Sequence, residues 1–271
     1  MKKHVTRILF MVLSTMIFNT MADTINTPVV EKLDTNKGIV FFKKARGINY
    51  SEFLHQWRDL HYPMVHLFDF DGYVQNSKIP NQPDNLVSPY DGVLTVWFDT
   101  VEAKQKTYSS PFWSIVAQHE PLLLQPDSLV SLSVDEYVVL DGSIEKNNSY
   151  TKLIIGSKKN PSVTPETFKN YWLSQHAFDV VSIMTKNEGL VRYTISTVNG
   201  LSVQQKDYEG DTQEGNYSVV EELWFKDKAL LEVALKSEAW RNQAKRLKPF
   251  VIAQDSFIAE EFIGIKPISF D

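Results

Sequence analysis

Two histidines stand in matching surroundings: Phe53-x3-Trp57-x3-His61-x3-Val65 and Phe168-x3-Trp172-x3-His176-x3-Val180. In a helix, residues four apart share a face, so each imidazole projects beside a tryptophan on an otherwise apolar surface. Such an imidazole can serve as general base or acid near neutral pH. It can equally be a buried histidine bonded to a backbone carbonyl, and the repetition suits either role. Trp57 and Trp172 could stack on a flat substrate or simply fill the core. Tyr73 and Tyr193 begin the strands that follow these helices, where a phenol could polarise a carbonyl or a substrate hydroxyl. Lys43-Lys44 and Lys158-Lys159 sit at strand ends, where one of each pair could face inward and hold a carboxylate, although solvated lysines are the commoner case. His66 and His119 lack counterparts in the repeat and are expected at the surface.

Other chemistries find no support. The chain has no cysteine, no H-x-E-x-H pattern and no histidine spacing suited to zinc. It also lacks G-x-G-x-x-G, G-x4-G-K and G-x-S-x-G. No metal or cofactor is therefore expected.

The repeat organises the whole chain. Lys43, Lys44, Phe53, Trp57, His61 and Val65 recur about 115 positions later as Lys158, Lys159, Phe168, Trp172, His176 and Val180. At a slightly larger offset Trp97-Phe98, Ser110 and Trp113 meet Trp224-Phe225, Ser237 and Trp240, which pairs all six tryptophans. A period this long marks a duplicated domain rather than a solenoid. The boundaries read from it are 37–141 and 150–266, joined by the polar stretch Asp141–Tyr150.

Residues 1–22 read as a secretory signal peptide: basic Lys2, Lys3 and Arg7, an apolar run from Ile8 to Phe18, then small residues ending at Ala22. An uncleaved anchor is the alternative, but the run is short of the roughly 20 apolar residues that span a bilayer. The reading implies a periplasmic or secreted protein, off the membrane after cleavage. Removing this segment leaves 25 basic against 33 acidic residues, a net charge of about −8. An acidic surface without a basic stripe argues against nucleic acid and anionic membranes, and favours a small-molecule ligand.

Each copy spells strand, helix, strand, strand, helix, strand. In the first these are Gly38–Phe42, Tyr50–Leu67 with Ser51 as cap, Gly72–Gln75, Gly92–Phe98, Glu102–Leu124 broken at Pro111, and Ser131–Leu140. In the second they are Lys152–Gly156, Thr164–Lys186, Leu190–Val198, Tyr217–Phe225, Lys226–Leu247 and Ser256–Ile265. Long excursions, Asn76–Tyr90 and Gly200–Asn216, join the middle strands of each copy. A βαββαβ unit makes an antiparallel sheet with both helices on one face, leaving the other face bare. A second copy would cover it. The expected fold is α+β: two tandem ferredoxin-like βαββαβ units forming one α+β barrel of the dimeric type within a single chain.

The Phe-Trp-His helix motif after Lys43-Lys44, the Asp91-Gly92-Val93 lead into Trp97-Phe98 and the Ser110-Pro111 break together resemble the EthD family of dimeric α+β barrel proteins. The second copy departs from that pattern at Tyr217–Val220 and at Glu238. The resemblance implies a pocket between sheet and helices in each unit. It also implies cofactor-free oxygenation, cyclisation, isomerisation or decarboxylation of aromatic, polyketide or lactone-like compounds. Some duplicated α+β barrels carry haem, which here would need His61 or His176 as axial ligand. A homodimer is open. On this reading His61 and His176 are catalytic with Tyr73, while Trp57, Trp172, Tyr193 and Lys43 bind substrate. A periplasmic binding protein without chemistry is the competing class. The first loop holds Pro80, Pro83 and Pro89, whereas the second is rich in glycine and acids, so the better-formed pocket is expected in the first half.

Overall fold

The computed structural model describes residues 30–146, 149–187, 189–201 and 217–270. The proposed signal peptide and most of the second excursion lie outside these residues. Nine strands are described: β1 Glu31–Lys32, β2 Asn36–Phe42, β3 Gly72–Lys78, β4 Gly92–Phe98, β5 Val130–Leu140, β6 Thr151–Lys159, β7 Leu190–Leu201, β8 Val219–Phe225 and β9 Val251–Ile265. Their order is β1-β5-β2-β4-β3-β9-β6-β8-β7, and β5 also pairs with β7. Eight strands therefore close into an antiparallel barrel, with β1 extending the β2 side of β5. Closure gives each of the eight barrel strands a neighbour on both sides. The junctions fall between β3 and β9 and between β5 and β7, so each half completes the other's sheet.

Both faces of the barrel strands are covered, and successive side chains alternate between them. Val40 and Phe42 of β2, Leu94 and Val96 of β4, and Tyr73 of β3 face one helical layer. The neighbouring residues Ile39, Phe41 and Val93 face the lumen, where they meet Val130, Leu132, Ile154, Val220 and Phe257. Deeper in the lumen lies a layer of charge. Lys37 Nζ reaches Glu136 Oε1 at 2.8 Å and Glu222 Oε2 at 2.5 Å, while Lys152 Nζ reaches Glu222 Oε1 and Glu261 Oε1, both at 2.8 Å. Trp97 Nε1 donates to Glu136 at 2.8 Å and Trp224 Nε1 to Glu261 at 3.1 Å. Glu222 thus joins two matching Lys–Glu–Trp clusters, one from each half. Burial opposes its ionisation, but Lys152 and Lys37 hold its carboxyl down at about 2.

The helices start where capping side chains stand. Asn49, not Ser51, caps the first: its side chain accepts from the Glu52 amide at 2.9 Å, and Ser51 already lies inside the helix. Thr100, Thr164, Asp227 and Ser237 cap four later helices in the same way, whereas the helix begun at Trp113 has no side-chain cap. The helix begun at Tyr50 passes through a π-helical turn, His55–His61, and the one begun at Pro165 through another, Trp172–His176. Periodicity in the sequence does not show these turns. Both carry the tryptophan and histidine of the repeat, and π-turns are frequent at functional sites. The Glu102–Leu124 expectation resolves into Val101–Tyr108 and Trp113–Leu123, separated around Pro111. Lys226–Leu247 resolves into Lys228–Lys236 and Glu238–Leu247, parted at the Ser237 cap. Among the described residues no helix is long and apolar enough to cross a membrane.

Candidate functional site

In the first half Trp57, His61, Tyr73, Tyr108, Trp113 and Glu120 surround a cavity of only about 40 Å³. That is room for about three or four waters at some 10–15 Å³ each. Trp57 packs edge-on against Phe42 with ring centroids 4.8 Å apart. This packing needs Gly92, because a Cβ there would lie 2.6 Å from Phe42 Cζ and 3.0 Å from Trp57 Cζ3. His61 is buried and its Nδ1 has no hydrogen-bond partner among the described residues. Burial, with His119 beside it, pulls the imidazole down to about 4. His119 is half-buried, with its ring tilted against that of His61 at a centroid distance of 5.5 Å. Burial pushes Glu120 up to about 7. Tyr73 accepts from the Gln75 side chain at 3.3 Å, and burial raises its phenol well above the ordinary value. Lys43 does not line this cavity; its backbone amide bonds Ser128 Oγ at 2.8 Å.

The second half is built differently. His176 Nε2 lies 2.8 Å from Glu221 Oε1, and Gln243 Nε2 lies 2.8 Å from His176 Nδ1. The Tyr193 hydroxyl donates to the same Glu221 Oε1, and burial together with that carboxylate raises its pKa well above 10, so it stays a neutral donor. The Gln243 amide at Nδ1 and the Glu221 carboxylate at Nε2 fix the imidazole between them. Among the described residues, Glu221 Oε2 and Gln243 Oε1 are buried acceptors without partners. Both residues line a cavity of about 370 Å³, walled by Leu86, Ile155, Leu235, Trp240 and Leu247. That volume falls in the range of small-molecule sites, about 300–1,000 Å³.

The two halves therefore differ in what faces the histidine. Leu94, opposite Val40 and Gln75, occupies in β4 the place that Glu221, opposite Ile155 and Ile195, occupies in β8. Val116 follows Trp113 as Gln243 follows Trp240. Among the described residues the first histidine has neither partner. Trp172 is fully buried, stacked on Phe168 at 4.7 Å, and does not line the cavity beside His176.

The expectation of a better-formed first pocket is corrected. The proline-bearing excursion does not frame an entrance to the His61 cavity; it crosses to the second half, where Asn85, Leu86 and Val87 wall the larger cavity. β3 runs on to Lys78, which carries the chain over the β3–β9 junction. Sequence reasoning also missed Glu221 and Gln243, because neither recurs in the first copy. One signal was present: Val219–Phe225 is buried throughout yet carries two adjacent acids, Glu221 and Glu222. Alternation sends one to each face. Among the described residues no three His, Cys, Asp or Glu side chains converge to hold a metal.

Fold and site thus describe an α+β barrel with a helix-covered cavity in each half. The sequence matches the EthD domain over residues 45–126 and 160–250, more than half of the chain, and the protein belongs to the EthD family. No curated protein matches it. Among solved structures, an anthrone oxidase-like protein superposes with a TM-score of 0.58 at 10% identity, covering 89% of this chain and 98% of that one. A candidate monooxygenase from Fusobacterium nucleatum superposes at 0.54 with 10% identity, covering 84% and 92%. At such identities the likeness concerns the fold.

Proposed function

We propose that the protein is a cofactor-free oxidoreductase of the EthD type, acting on a small flat hydroxylated or enolisable compound in the second half's cavity. The chain would be a fused pair of ferredoxin-like units, 37–141 and 150–266, exported by its N-terminal segment. The observation that carries the reading is the Glu221 carboxylate: His176 and Tyr193 hold one oxygen, the other is buried with no partner among the described residues, and the residue lines a cavity of ligand size. A carboxylate fixed at one oxygen by two donors presents the other in a set direction, and positioning of that kind is a large part of general-base catalysis. Glu221 Oε2 takes the acidic proton of the bound enol or phenol, and the resulting anion is oxidised by dioxygen. For anthrone, the overall change converts anthrone and dioxygen to anthraquinone and water. His176 and Tyr193 are positioning residues for Glu221, and Gln243 fixes the ring.

Haem fits poorly. Both His176 ring nitrogens are engaged, and the cavity at His61 holds little more than water. Lys43, Trp172 and Tyr73 stand apart from the cavity beside Glu221.

The test is anthraquinone formation from anthrone in air. Wild-type protein is expected to turn over, and Glu221→Gln to lose about 100-fold or more, as for a removed general base. Binding of anthrone without turnover in the wild type would favour the non-catalytic binding protein.

A further inference from the structure

We propose that residues 79–87, a strap contributed by the first half, are the specificity-determining wall of the second half's cavity. Leu86 would set the length of flat ligand admitted. The inference rests on the reading of the Glu221 cavity as a ligand site.

The strap is fastened to β9 by a continuation of the sheet ladder. Where β3 ends at Lys78, the Ile79 amide donates to Ile258 O at 3.1 Å. The Gln82 side chain then imitates a strand residue: its Nε2 donates to Ile258 O at 2.8 Å and its Oε1 accepts from the Ile258 amide at 2.7 Å. The Ser256 amide donates to Val87 O at 2.7 Å, so the strap is pinned on both sides of its tip. Asn81 adopts a positive φ of 58°, which turns the chain between Pro80 and the Gln82 clasp. Pinned in this way, Leu86 is buried and joins the second half's core with Trp172, Tyr193 and Leu235, while its own half lies across the junction.

Its position gives it the role. Glu221 and His176 form one side of the cavity, Trp240 to Leu247 the helical side, and Leu86 with Val87 the side nearest Ser256. A flat ring anchored by its hydroxyl on Glu221 Oε2 extends away from the carboxylate until it meets a wall. A side chain presented from a different sheet half, on a clasped loop, can vary in size without disturbing the acid–histidine pair.

Fluorescence titration with two hydroxyarenes of different length, naphthol and hydroxypyrene, reads this directly. Leu86→Ala is expected to raise the affinity for hydroxypyrene relative to naphthol by about tenfold, the scale of a small change in an apolar pocket. Leu86→Phe, which keeps the core filled, is expected to move the ratio the other way. Gln82→Ala, which frees the clasp, should blur the preference while leaving naphthol bound. An unchanged ratio in both Leu86 variants, with binding still lost in Glu221→Leu, overturns the strap alone. A wild-type protein that binds neither probe overturns the ligand-site reading and the proposal with it.

Discussion

The same histidine serves two environments in one chain, and the residues opposite it decide which. At His176 the partners are Glu221 and Gln243; at the equivalent places around His61 stand Leu94 and Val116. The first cavity has instead a helix-borne acid, Glu120, whose counterpart in the second half is Leu247. Burial raises the Glu120 pKa from 4.5 to about 7. A raised folded pKa means that the protonated acid favours the folded state below pH 4.5, and that this contribution is lost as pH rises through 7. Glu120→Gln should therefore leave stability at pH 5 nearly unchanged and add about 3 kcal/mol at pH 8.5, measured by urea unfolding. Equal effects at both pH values would contradict it. His61 has the opposite sense: its pKa falls from 6.5 to about 4, so stability is lost as pH drops through that window. The repeat made His61 and His176 legible in sequence. It could not show Glu221 or Gln243, since a site's asymmetric members are the ones a repeat hides.

At the scale of elements, strands and helix starts followed from alternation and capping residues, and most boundaries fell within a few positions. What escaped was local: the π-turns at His55–His61 and Trp172–His176 leave no trace in a four-residue spacing, and the Asn49 cap competes with the adjacent Ser51. The excursion after β3 reads as a loop from its prolines, but where it docks depends on β9, nearly two hundred residues away in sequence. β4 owes its fit under the first helix to Gly92. Gly92→Ala places a methyl against Phe42 and Trp57 and should cost about 1–3 kcal/mol by overpacking. A shift in thermal midpoint checks this, and an unchanged midpoint would contradict the contact.

For the whole molecule, closure of the sheet through β3–β9 and β5–β7 makes the two halves one cooperative structure. A lumen of buried charge reinforces it, with Glu222 shared between Lys37 and Lys152. Removing one member of such a cluster strands buried charge, so Glu222→Leu should cost about 3–5 kcal/mol. The wild type should lose stability as pH falls from 4.5 through about 2, the window of the Glu222 carboxyl, in which its depressed pKa stops favouring the fold. Calorimetry should show one unfolding transition; two separable transitions would mean the halves fold independently. The duplication foretold a pair of similar units, whereas the division of labour between them depends on which half contributes the acid and which the strap. The most direct measurement is a crystal structure after soaking with naphthol. Ring density is expected in the second cavity, with the hydroxyl on Glu221 Oε2 and the ring between Leu86 and Trp240. Density in the cavity of Trp57 and His61, with Glu221 Oε2 left free, would contradict it.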